Sequence, residues 1–252
     1  MYDVVIVGGG IVGLSTAYAM MRRFPEKKLV LIEKESAWAA HQTGHNSGVI
    51  HSGIYYRPGS LKARLAREGS RALVDFCEEH RIDYELCGKV IVATDETQLP
   101  LLDRLYRQGL ENRLNIRKID GRQLRELEPY ANGIEAVHLP GTGIVNYKRV
   151  AEKLAELLQA GGADLRLNTR LKKVRVKTGE LLLETSQGEL TAKYMINCAG
   201  LQSDRVAKMD GVRPDMRIVP FRGEYYELKP EKRYLVKSLI YPVPNPEFPF
   251  LG

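Results

Sequence analysis

A short β-branched run, Val4 to Val7, breaks at once into Gly8, Gly9 and Gly10, with Gly13 three residues on. That arrangement leaves few folds open. The run suits a strand buried on both faces. The glycines match G-x-G-x-x-G with the first glycine directly after the strand, and each has a physical task. Gly8 makes the tight turn, Gly10 lets backbone approach a pyrophosphate, and Gly13 permits close packing of helix on strand. Ile11 to Arg23 predicts a helix whose amino end aims free N–H groups and a positive dipole end at such phosphates. Leu29 to Ile32 predicts a second strand that ends in Glu33. Glu33 follows Gly13 by 20 residues, about the ~20-residue interval at which an acidic side chain takes the ribose hydroxyls of a dinucleotide. A glycine turn alone would also serve a ligand-free bend. Strand, turn, helix, strand and acid in this order point to a dinucleotide site.

Beyond it, Ser36 to Gly59 is rich in small and polar residues, among them Thr43, Asn46, Ser47, His51 and Tyr55. Long loops inside compact domains tend to be functional, and the apolar pair Val49 and Ile50 argues for order, so the stretch reads as a ligand-lining loop. Leu61 to His80 predicts an amphipathic helix with Leu61, Leu65, Leu73 and Phe76 on its apolar side. A strand over Lys89 to Thr94, helices over Glu96 to Glu111 and Arg122 to Leu127, and a helix over Val145 to Ala160 follow. Strands are expected near 163–167, 171–177, 181–185 and 190–196, the last running into Asn197, Cys198, Ala199 and Gly200. A strand ending in such a small-residue turn puts backbone next to a ligand. Arg217 to Leu228 alternates and predicts one more strand, interrupted by Gly223.

The chain of 252 residues is 44% apolar and can bury a sizeable core. Its 38 basic and 31 acidic side chains leave a net charge of +7 spread along the sequence. That distribution does not indicate nucleic acid and suits an anionic cofactor and an acidic substrate. Three cysteines, odd in number and without metal-ligand spacing, indicate a reducing compartment and packing roles. The strand begins almost at Met1, no signal peptide is visible, and no run reaches the ~20 apolar residues of a membrane span. A cytoplasmic protein is expected, with peripheral contact at the inner face of the membrane left open.

These residues resemble the FAD-dependent oxidoreductases of the D-amino-acid-oxidase and glycerol-3-phosphate-dehydrogenase type. Asp3 to Gly13 with Glu33-Lys34 looks like their FAD-binding βαβ unit, Asn197 to Gly200 with Ser203-Asp204 like their second flavin motif, and Pro220 to Gly223 like the start of a substrate-domain strand. Within that group the likeness is greatest to the L-2-hydroxyglutarate dehydrogenase/oxidase branch. It is carried by His41 to Tyr56 with Pro58 to Lys62, by Cys87-Gly88-Lys89 and by Tyr241 to Pro246. The resemblance implies an α/β fold: a Rossmann-like FAD-binding domain, residues 1–88 and 141–215, and a discontinuous α+β substrate domain, residues 89–140 and 216–252. Proteins of this group are longer, so the substrate domain is expected to be incomplete here. FAD would be held by Gly8, Gly10, Ile11, Val12, Gly13, Glu33, Lys34, Thr43, Asn46, Ser47, Val174, Ala199 and Gly200.

The reaction so implied is oxidation of a 2-hydroxy dicarboxylate, L-2-hydroxyglutarate, to 2-oxoglutarate with hydride transfer to flavin, and oxygen or a membrane quinone as the electron acceptor. His51 is the candidate base, because imidazole titrates near neutral pH. A dicarboxylate needs cationic anchors, for which Arg57, Lys62, Arg64 and Arg222 are the options, and Tyr55 adds a neutral hydroxyl. His41, His45 and His51, four and six residues apart, lack a regular ligand geometry, so no metal is expected. Two alternatives stay in view: an FAD-dependent amino-acid or amine oxidase on the same fold, and a non-catalytic dinucleotide-binding fragment.

Overall fold

The computed structural model describes Met1 to Asn245. Pro246, which closes the Tyr241 to Pro246 stretch, and the tail after it lie outside the described residues. The chain divides into two compact units: Met1–Ser47 with Asn146–Glu224, and Gly48–Val145 with the segment from Tyr225 onward. The division falls after Ser47, not after residue 88, and it cuts the long polar loop in two.

The first unit opens as read from the sequence: β1 (Tyr2–Val7), α1 (Ile11–Arg23), β2 (Leu29–Ile32). β1 and β2 are parallel, Val4 beside Leu29 and Val7 beside Ile32.

In the second unit the order is β3 (Val49–Ile50), α2 (Leu61–His80), β4 (Tyr84–Glu85), β5 (Lys89–Ala93), α3 (Leu99–Glu111), β6 (Arg117–Asp120), α4 (Gly121–Leu127), β7 (Glu135–Leu139) and β8 (Gly143–Val145). Local chemistry sets these helix ends. The Ser60 hydroxyl accepts the Ala63 N–H at the start of α2, and Arg81, left-handed at φ 55°, ends it. Asp120 and Gln123 form a reciprocal capping box on α4. β3 and β4 both pair with β8, which draws residues 48–85 into this unit.

The chain then returns to the first unit as α5 (Tyr147–Ala160), β9 (Asp164–Arg166), β10 (Leu171–Lys177), β11 (Glu180–Thr185), β12 (Gly188–Asn197) and α6 (Ser203–Met209). The Asn146 side chain caps α5 through the Lys148 N–H at 3.1 Å. The sheet order is β10-β11-β12-β1-β2-β9, parallel where β12, β1, β2 and β9 meet and antiparallel in the β10–β12 meander. Val5, Val7, Val30 and Ile32 pack with Leu171, Val174, Leu183 and Val206 in its core.

β13 (Leu239–Pro242) completes the second unit, lying parallel to β5 in the sheet β13-β5-β7-β6. Alternation along β5 feeds two clusters: Ile91 and Ala93 meet Leu102 and Leu105 of α3, while Val90 and Val92 meet Leu124 of α4.

Two expectations fail. Leu61 and Leu65 are 61% and 54% exposed, and α2 buries Ala63 and Cys77 instead. No strand forms over Arg217 to Leu228, where Phe221 is 72% exposed. The alternation there is real, but among the described residues it joins no sheet, and a strand needs a ladder partner for its backbone groups.

Glu128, fully buried, accepts the Lys237 N–H with both carboxylate oxygens, at 3.2 and 3.1 Å, and so ties the segment before β13 to the end of α4. Glu128→Ala is expected to destabilise the protein by about 1.5–3 kcal/mol, the scale of a hydrogen bond to a charged group, read as a lowered urea midpoint of the second unit. An unchanged midpoint would show that the tie contributes nothing.

Candidate functional site

In the first unit the two glycine-rich turns come together. Val7 stands beside Asn197 in the parallel pair, and the Cys198 N–H donates to the Val7 carbonyl at 2.9 Å. Gly8 has φ +115°, and a Cβ there would lie 2.3 Å from the Cys198 carbonyl oxygen. A Cβ on Gly13 would lie 1.9 Å from the Gly8 carbonyl oxygen, which is the close helix-on-strand packing expected of the third glycine. Asn197 shapes the second turn: its amide donates to the Ser203 carbonyl at 2.8 Å and its oxygen accepts the Ala199 N–H at 3.2 Å. Gly200 follows with φ +55°, close to Gln42.

Gly10 is the cap residue of α1 and offers no side chain to its first turn, which also carries no acidic residue. The Thr43 hydroxyl instead accepts the Ile11 N–H at 3.0 Å and stands 3.2 Å from where a Gly10 Cβ would be. Asn46 donates to the Gln42 and Thr43 carbonyls at 3.0 and 2.8 Å and so holds Thr43 in place. Val12 is exposed beside this helix end.

Glu33 accepts the Gly9 N–H at 2.7 Å with one oxygen and the Glu35 N–H at 2.9 Å with the other. Each oxygen keeps an acceptor position for a hydroxyl. Lys34 pairs with Glu35, and His41 lies 3.1 Å from the same carboxylate. Those contacts hold Glu35 well below the usual carboxylate range, the Lys34 hydrogen bond first. Val174 is buried in the core, so a contact with cofactor would run through its backbone. Arg222 is exposed and pairs with Glu224 at 3.0 Å.

Trp38 escaped the sequence reading. Its ring stands 2.5 Å from where a Gly9 Cβ would be, so it is packed on the glycine turn itself. The Ala39 N–H donates to the Gly9 carbonyl at 3.0 Å, with Ala39 left-handed at φ 58°. The only tryptophan in the chain, five residues beyond Glu33, was the available signal.

A dinucleotide fits these residues. The helix end is uncapped by charge, three glycines leave backbone open where a Cβ would clash or fill space, and a carboxylate lies at the end of β2. Glu33→Ala is expected to weaken FAD binding by about 1.5–3 kcal/mol, measured by fluorescence titration of the deflavinated full-length protein. Equal affinity in wild type and variant would remove Glu33 from the ribose site.

The second unit holds the other candidates. His51 keeps an exposed face, while desolvation and then the positive charge of Lys89 push its pKa below the ordinary histidine value. Tyr55 is raised far above the usual phenol range by burial and then by Tyr241, so its hydroxyl stays neutral. The loop that carries Tyr55 is held by α3: Gln108 donates to the Ile54 carbonyl at 2.8 Å and Asn112 to the Tyr56 carbonyl at 2.7 Å. Arg57 is exposed. Lys89 and Tyr241, quoted from the sequence only as parts of motifs, stand beside Tyr55: the Lys89 ammonium lies 4.4 and 3.5 Å from the ring centroids of Tyr55 and Tyr241. Among the described residues no three or more His, Cys, Asp or Glu side chains gather as a metal site, and no helix is long and apolar enough to cross a membrane.

Comparison with known proteins bears on both units. An L-2-hydroxyglutarate dehydrogenase from Indibacter alkaliphilus is 52% identical over the whole of this chain, which spans 63% of it. The human mitochondrial L-2-hydroxyglutarate dehydrogenase is 45% identical over the whole chain and is spanned to 57%. The chain thus covers about 60% of the length of such relatives. Among solved structures, L-alpha-glycerophosphate oxidase from Mycoplasma pneumoniae with FAD bound is similar at TM-score 0.82 and 25% identity, covering 96% of this chain and 65% of that one. The family described as DAO, FAD dependent oxidoreductase, matches residues 3–252. By that match, which takes in nearly the whole sequence, the chain belongs to the DAO family of FAD-dependent oxidoreductases.

Proposed function

We propose that the full protein oxidises L-2-hydroxyglutarate to 2-oxoglutarate. The observation that carries this reading is the 52% identity, over every residue of this chain, to a protein named for that substrate. Bound FAD supplies the acceptor for the hydride leaving the carbinol carbon. Residues of this chain contribute binding and proton transfer. The amino end of α1 and the turn from Gly8 to Gly13 would hold the pyrophosphate, and Glu33 would accept the ribose hydroxyls. His51 takes the hydroxyl proton as the C–H bond breaks; its depressed pKa keeps the imidazole neutral, and so able to accept a proton, at pH 7.

An amino-acid oxidase would need an acidic group to receive an amine. The cluster of His51, Tyr55, Lys89 and Tyr241 offers cationic and neutral groups only. Anaerobic addition of L-2-hydroxyglutarate to the flavin-loaded full-length protein is expected to bleach the flavin in a saturable way. Bleaching by D- or L-amino acids and not by L-2-hydroxyglutarate would overturn the reading, and tight flavin binding without bleaching by either would favour a non-catalytic role. Reoxidation in air against reoxidation by a quinone then identifies the electron acceptor.

A further inference from the structure

Lys89 is a charge in an unusual place. It opens β5, between Leu139 of β7 and Leu239 of β13, and it is 2% exposed. A lysine is almost never fully buried unless something compensates its charge, because the ammonium loses its hydration. Here two tyrosine rings supply part of that compensation, at 4.4 Å from Tyr55 and 3.5 Å from Tyr241. No carboxylate acts on it among the described residues. The groups shown to interact with it, Tyr55, Tyr241 and His51, are uncharged, while the carboxylates Glu85 and Glu128 act on Cys87 nearby and form no ion pair with Lys89. Tyr55 and Tyr241 are both held protonated by burial, and His51 is held neutral, first by desolvation and then by Lys89 itself. On β7, His138 is depressed by burial and then by Arg117, and Glu135 is taken by Lys118. Cys87, next but one along the chain, is raised by burial and stays a thiol near neutral pH.

A buried cation with aromatic walls and no ion-paired carboxylate among the described residues is suited to receive an anion. A structural clamp for β13 could be made from a neutral or apolar side chain at lower desolvation cost. From the burial, the paired rings and the absence of an ion-paired carboxylate among the described residues, we infer that Lys89 binds a carboxylate of the substrate, with Tyr55 and Tyr241 as the walls that hold the ammonium in position. The inference rests on the proposed oxidation of a dicarboxylic 2-hydroxyacid, and it adds the residue that selects for anionic substrates. Exposed Arg57 and ion-paired Arg222, the cations favoured by the sequence, are not needed for that task.

The test uses the flavin-loaded full-length protein. Lys89→Met keeps the length and apolar stem. It is expected to raise the half-saturating concentration of L-2-hydroxyglutarate in flavin reduction roughly 10- to 100-fold, the range of a charge-assisted hydrogen bond, with a smaller change in the limiting rate. Lys89→Arg should recover most of the affinity. L-2-Hydroxybutyrate separates the two carboxylates: a loss shared with it assigns Lys89 to the one beside the hydroxyl, and a loss confined to the dicarboxylate assigns it to the distal one. Wild-type half-saturation in a flavin-loaded Lys89→Met protein overturns the inference. Should that variant not fold, wild-type calorimetry with glutarate decides. Burial lowers the Lys89 pKa to about 8, so glutarate affinity should be level below that pH and fall as pH rises through it. A level profile through about pH 11, across the whole range in which a lysine loses its charge, overturns the inference. If L-2-hydroxyglutarate fails to reduce the wild type while glutarate binds with this dependence, the proposed reaction falls and the carboxylate site stands.

Discussion

Gly13→Ala is expected to yield a protein that purifies almost free of flavin. The added Cβ would sit 1.9 Å from the Gly8 carbonyl oxygen, a backbone atom that cannot swing aside as a side-chain end does. Relief requires α1 to move off β1, and that movement takes the helix's leading N–H groups away from the pyrophosphate. The core resists it, since Leu14 and Ala17 of α1 are buried and close-packed interiors transmit such shifts. A loss of more than about 10³-fold in FAD affinity is the expected scale, equivalent to about 4 kcal/mol, in the upper range for overpacking against a fixed backbone. Flavin content after purification, with fluorescence titration of the apoprotein, measures it. Gly69→Ala is the control: it lies inside α2, and apart from its chain neighbours and its own helix backbone nothing comes within 4 Å of its added Cβ. There the same substitution should leave flavin content alone and stabilise the protein by about 0.4–1 kcal/mol. If Gly13→Ala binds FAD like wild type, the close helix-on-strand contact is not what shapes the site.

His51→Gln is expected to keep its flavin and to lose roughly 10²- to 10⁴-fold in the rate of flavin reduction by L-2-hydroxyglutarate, the range for removing a positioned general base. Glutamine preserves hydrogen bonding but cannot accept a proton, so flavin content and the half-saturating substrate concentration should change little. The pH dependence carries a further expectation. His51 works as the neutral imidazole, and desolvation together with the Lys89 charge lowers its pKa. The reduction rate should therefore hold level at neutral pH and decline only below the ordinary histidine range, where the ring protonates. Lys89→Met removes the second of those causes and should move this acid limb upward. Stopped-flow reduction across pH in wild type, His51→Gln and Lys89→Met gives both answers. A His51→Gln protein that reduces at the wild-type rate would remove His51 from the role of base and leave the reaction itself in place.

The dinucleotide half was legible because its determinants are local. Four glycines, a β-branched run, a helix and an acid within residues 1–34 set turn, phosphate-facing helix end and ribose acceptor through steric rules that act over a few residues. The helices of the second unit could be placed for the same reason, since the apolar spacing of Leu61 to His80 and the stop that Pro129 sets after Leu127 act over neighbouring residues. What the sequence did not reveal depends on partners far along the chain. β3 and β4 span two residues each and exist only because β8 pairs with both. The alternation in Arg217 to Leu228 joined no sheet among the described residues, so it made no strand. Lys89 looked like one more cation at a strand start until β13 brought Tyr241, 152 residues away, over its ammonium. Residue type and spacing carry periodicity and turn geometry. Desolvation of a charge depends on everything that packs around it, and only the tertiary structure assembles that shell.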